Sequence, residues 1–287
     1  MHLEMFDDCQ MDSRRALWLT RAKTLVLSDF FFGLGAGRRR ALEGLPLAAH
    51  LDPWERLVTL LSDYQPEQIV LLGNIKPNQG HLVGEEASEL NAYISKLTGK
   101  SRPVIQVVGQ SDRSEGPAVT NPLFKVVDHL QIDSYHFMHR RRIFVYPRLD
   151  NREIWINGGV HPVFALPVKS PSGGEDWMRV SGFLYTGYAV VMPPFMPYAQ
   201  GHEVFLPDRL PKQAKGYKLL ADRVSPIDLS QLPLPPEHLR HIARFTKKDR
   251  GGYPRPTPLF SALTLCRSLD STTIVKLNVP TKPIPYF

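Results

Sequence analysis

The sequence predicts an α/β protein: a parallel sheet flanked by helices, a second sheet packed on the first, and a proline-rich C-terminal extension. Three observations predict it. Three short apolar runs without alternation, TLVLSD (24–29), IVLLGN (69–74) and VIQVVGQSD (104–112), read as strands buried on both faces. Amphipathic helical patterns lie between them, so the first half reads βαβαβ with right-handed crossovers. Downstream, RRRIFVYP (140–147), EIWINGG (153–159), GYAVVMPPF (187–195) and HEVFLP (202–207) are shorter and strand-like. Turns and the SPSGGED loop (170–176) separate them, which suggests the second sheet.

Each element has a local reason. In LDPWERLVTLLSDY (51–64), Asp52 suits an N-cap, Pro53 the first helical position, and Glu55 completes a capping-box pattern. GEEASELNAYISKL (84–97) repeats apolar residues at helical spacing. Ligands of open α/β sheets sit beyond the carboxyl ends of strands, so Asp29, Asn74 and Asp112 are expected on one rim. Near the C-terminus, EHLRHIARFTKK (237–248) reads as one helix with Leu239, Ile242, Ala243 and Phe245 inward and Arg240, Arg244, Lys247 and Lys248 outward.

Composition narrows the function classes. With 287 residues, 43% hydrophobic and 22% charged, the chain is not wholly disordered. No apolar run approaches the roughly 18 to 20 residues of a membrane span. The opening residues lack signal-peptide character, and Cys9 and Cys266 lie near opposite ends. A reducing, cytoplasmic setting without a disulfide framework is expected, with Cys9 in a mobile terminus. The net charge of +7 is uneven: residues 209–287 hold 14 Lys and Arg against 5 Asp and Glu, and residues 1–208 hold 21 against 23. The same segment contains 11 of the 26 prolines, which exclude long helices and central strands. The expected organisation is a body over 1–208 and a basic extension over 209–287 that packs on it.

Polar residues at successive strand ends, followed by Gly158-Gly159-Val160-His161-Pro162, form a recognisable skeleton. Asp29-Phe30-Phe31-Phe32-Gly33, the arginines Arg38 to Arg40 before Gly44-Leu45-Pro46, and Val191-Met192-Pro193-Pro194-Phe195 before Gly201 complete it. The series resembles the calcineurin-like metallophosphoesterases, whose motifs run Asp-x-His, Gly-Asp, Gly-Asn-His-Asp, a lone His and Gly-His-x-His. Within them it is most similar to the ligase-associated DNA damage response endonuclease group. The likeness spans about residues 24 to 206 and implies a four-layer αββα sandwich of two mixed sheets.

The resemblance also implies a two-metal site, and this sequence departs from it at most ligand positions. Asp29 remains, but its His partner is Phe31 and the bridging Asp is Asn74. The Asn ligand is Gln110, the adjacent His is Ser111, and the closing Asp is Asp112. Alignment puts the lone His at Tyr146; Gly159 replaces the first His of the last motif and His161 is retained. One carboxylate charge cannot offset two divalent cations a few ångströms apart. The expectation is therefore a pseudoenzyme without a catalytic residue or cofactor, with a weak single-metal site on Asp29, Asn74 and His161 as the remaining candidate.

Other features read as structural. His136 and His139 in YHFMHRRR are expected to be surface or packing histidines, and His238 and His241 lack further zinc ligands. Gly33 to Gly37 lacks the helix pattern of a dinucleotide site. Arg38, Arg39 and Arg40, Arg140 to Arg142, and the basic face of the C-terminal helix are the candidate contacts for nucleic acid. A protein assembly docked by the C-terminal segment is the alternative partner, and no membrane is implicated.

Overall fold

The computed structural model describes residues 2–31, 53–76, 84–109, 112, 121–139, 153–169, 173–196, 202–204 and 213–233. The first sheet has seven strands in sequence order: β1 (His2–Phe6), β2 (Cys9–Asp12), β3 (Ala16–Leu19), β4 (Thr24–Ser28), β5 (Gln68–Leu72), β6 (Val104–Val107) and β7 (Phe124–Val127). Its first four strands pair antiparallel and β4 to β7 pair parallel. The crossovers carry α1 (Pro53–Tyr64) and α2 (Glu85–Leu97).

The second sheet joins β8 (Leu130–Ile132), β9 (Tyr135–His139), β10 (Ile154–Gly158), β11 (Pro162–Lys169), β12 (Glu175–Tyr185), β13 (Ala189–Val191), β14 (His202–Glu203), β15 (Lys215–Leu219) and β16 (Val224–Ile227). It is also mixed: β9, β10 and β13 run parallel, and β12 pairs antiparallel with β11, β13 and β15.

Strand alternation builds the layers. Leu25, Leu27, Ile69, Leu71 and Val104 face Leu57 and Leu60 of α1 and Leu90, Ile94 and Leu97 of α2. The intervening residues Val26, Val70, Leu72 and Val107 meet Tyr135, Phe137, Ile156, Phe183 and Val190, forming the core between the sheets. Phe164, Leu166, Leu184 and Val191 lie on the far face of the second sheet, covered by Val204 and Leu232. Lys96 reaches over the Trp54 ring at 4.0 Å, and Trp54 meets Tyr93 edge-on at 5.1 Å, which links the two helices.

Two expectations change. Cys9 is fully buried on β2, which belongs to an N-terminal meander and not to a mobile end; burial pushes its thiol up. The strands β15 and β16 lie beyond residue 208 yet hydrogen bond into the second sheet, so the first compact unit runs to Leu232. Pro233–Phe287 form a separate unit. The predicted strand 140–147, the helix 237–248 with Arg240, Arg244, Lys247 and Lys248, and Arg38 to Arg40 lie outside the described residues.

Candidate functional site

The ends of β4, β5, β6, β9 and β10 meet where the sequence places its polar residues. Asp29 follows β4 and is 1% exposed. Its amide donates to Leu72 O across the rim at 3.1 Å, and the Phe31 amide donates to Asn74 O at 3.0 Å. Asp29 (φ 54), Phe31 (φ 46), Asn74 (φ 25) and His161 (φ 53) are all left-handed, as is Gly73 (φ 67) between β5 and Asn74. Non-glycine residues avoid this region at a cost of about 1 to 3 kcal/mol each, and such strain concentrates at functional sites.

Five groups surround the Asp29 carboxylate. Oδ1 accepts Asn74 Nδ2 at 2.8 Å and pairs with His139 Nε2 at 2.8 Å. Oδ2 accepts Ser28 Oγ at 2.6 Å and the Gly159 amide at 3.0 Å, and lies 3.0 Å from His161 Nε2. Burial alone would raise this carboxyl; the charges and hydrogen bonds of His139 and His161 outweigh it and hold the group well below the usual carboxylate range.

His139 corrects an expectation. It is neither a surface nor a packing residue: its side chain is 1% exposed and closes on Asp29 from the end of β9. The parallel register of β9 and β10 sets His139 opposite Gly158. A Cβ at Gly73 would lie 1.9 Å from His139 Cδ2, and one at Gly159 2.7 Å from its Cε1. Two bare backbones therefore make the slot for the ring. His139 Nδ1 is buried and has no hydrogen-bond partner among the described residues. The signal that could have found it was alternation: Tyr135 and Phe137 face the core, so His139 ends its strand on the same face, immediately before the strand that leads into Gly159-Val160-His161.

Asp112 supports the rim from behind. Its carboxylate accepts the amides of Ile75 at 2.9 Å, Lys76 at 3.2 Å and Gly109 at 3.0 Å. Burial raises its pKa, only partly opposed by the Gly109 and Lys76 amides. Phe31 meets His161 edge-on, ring centroids 6.2 Å apart, adding an apolar wall. Asp29, Phe31, Asn74, Asp112, Gly159 and His161 thus come together, while Gln110, Ser111 and Tyr146 lie outside the described residues.

The Pro194-Phe195 segment locks the first strand end. Phe195 donates its amide to Ser28 O at 2.6 Å, and Phe30 stacks on Phe195 at 4.5 Å. Arg56 donates to Phe195 O and lies 4.3 Å over its ring. Arg15 donates to Pro194 O and Ser181 Oγ, both at 3.1 Å, with its pKa lowered by burial to about 10.

No family model and no curated protein matches the sequence. Among solved structures, the chain is similar to the crystal structure of Pseudomonas putida nuclease MPE, with TM-score 0.59 and 20% identity over 79% of this chain and 99% of that one. Identity at this level speaks to fold. The chain therefore has the α/β sandwich of two mixed sheets that its strand-end skeleton led us to expect.

Proposed function

We propose that the protein uses this sandwich as a noncatalytic binding component and does not hydrolyse phosphodiesters through two metals. One observation carries the reading: the Asp29 carboxylate already has five partners from its own chain, and the residue at the bridging position, Asn74, donates to it. The donor set does not fit two divalent cations. Asp112 spends its oxygens on backbone amides, the Phe31 side chain offers no ligand atom, and Gly159 has no side chain and turns its N–H on Asp29. Elemental analysis and a phosphodiesterase assay with added manganese test this. Two tightly held metals per chain, or cleavage that disappears on Asp29→Ala, would overturn it.

The proposed partner is nucleic acid, on the strength of the +9 balance of residues 209–287 together with Arg38 to Arg40. Binding should then weaken steeply between 50 and about 200 mM salt. Salt-insensitive association would favour a protein assembly docked through the proline-rich segment.

A second reading rests on His139. With Asp29 and His161 it makes one carboxylate and two imidazoles, a donor set suited to a single transition-metal ion. One metal per chain, lost from both His139→Ala and His161→Gln, would support residual one-metal chemistry over the noncatalytic reading.

A further inference from the structure

A separate imidazole pair lies on the opposite face of the second sheet. Leu130, Ile132, Tyr135 and Phe137 point between the sheets, so alternation turns His129 and His136 outward. There they border Trp155 of β10, with ring centroids 5.7 and 5.0 Å away. The two imidazoles are 5.5 Å apart between centroids, and His136 Nδ1 lies 3.4 Å from His129 Nε2.

That separation is long for an N–H···N hydrogen bond, whose usual length is about 3.0 Å. It matches two imidazole nitrogens on one tetrahedral zinc, which at bond lengths of about 2.0 to 2.1 Å sit roughly 3.3 to 3.4 Å apart. On the far side, His136 Nε2 is 3.2 Å from Glu153 Oε1. The Glu153 carboxylate places negative charge beside the imidazole pair, which favours a cation there. We propose that His129 Nε2 and His136 Nδ1 bind one divalent transition-metal ion of the zinc class, with water completing its shell. No third His, Cys, Asp or Glu joins the pair among the described residues, so the site is weaker than a four-ligand structural zinc. His129 lies on the link from β7 in the first sheet to β8 in the second, and a bound ion would fasten that link to β9.

Calorimetric titration of the full chain with zinc chloride tests the site. One ion should bind, raising the thermal midpoint, and His129→Gln should weaken binding at least about tenfold and abolish that rise. His129 is exposed, so its variant should fold. Glu67→Gln, an exposed carboxylate paired with Lys23 before β5, should leave this binding unchanged. The proposal is overturned if the wild type binds no zinc, if His129→Gln binds it as tightly, or if Glu67→Gln weakens it as much.

Discussion

Asp12 and Asp29 close β2 and β4 at the same end of the first sheet, and both are buried carboxylates held ionised by different kinds of partner. Asp12 takes its donors from the adjoining turn and α1: Arg14 through Nε at 2.9 Å, Nη2 at 2.6 Å and its amide at 2.8 Å, and Tyr64 Oη at 2.6 Å. Asp29 draws its donors from four strand ends, as far along the chain as His139 and His161. A local fork around a permanent guanidinium reads as a structural staple. A long-range ring of neutral and imidazole donors marks the point where the fold converges. The contrast separates a carboxylate held by its own turn and helix from one on which four strand ends close.

Several variants would break or sharpen that contrast. Asp29→Ala should destabilise most, by about 3 to 5 kcal/mol in urea unfolding, because it leaves several buried polar groups facing nothing. Asp12→Ala should cost about 2 kcal/mol, since Arg14 keeps its 2.6 Å pair with Asp63; equal costs would erase the distinction.

Next comes Gly159→Ala. At φ 81, with His139 in the path of its Cβ, it should cost about 1 to 3 kcal/mol. Pairing it with His139→Ala should recover part of that, and strictly additive costs would show the ring and the glycine to be independent.

Acid should act on both carboxylates. Burial opposes the Arg14 and Tyr64 hydrogen bonds at Asp12, yet its pKa is lowered, as is that of Asp29. A folded pKa below the unfolded value of about 3.9 means stability present above that pH and lost as pH falls through the folded values. Asp12→Asn should flatten the loss of stability below pH 4, and an unchanged acid slope would count against Asp12. The smallest effect is expected of Arg14→Lys, which keeps the charge but loses the fork, at about 1 kcal/mol.

Strands buried on both faces and the helices between them were legible because their apolar runs and capping residues carry local signals: β4, β5, β6, α1 and α2 all fall where the pattern puts them. The meander β1 to β3 was not, because HLEMF, CQMD and ALWL are short and mixed and owe their burial to the opposing sheet. The hairpin β15–β16 was hidden by proline and positive charge, yet Pro226 sits on its last strand. Asp29, Asn74, Asp112 and His161 could be picked from strand-end motifs. His139 could not be picked from motif order, since its position depends on the register between β9 and β10 and on two glycines distant in sequence.

Those glycines also limit how the rim can change. A histidine at position 159 would bring its first side-chain carbon against the His139 ring, so that substitution is sterically blocked while His139 keeps its place. Accepting it would require His139 to move, and that step gives up the pairing that satisfies Asp29. The slot therefore couples the two positions: neither gains bulk alone without cost to the other.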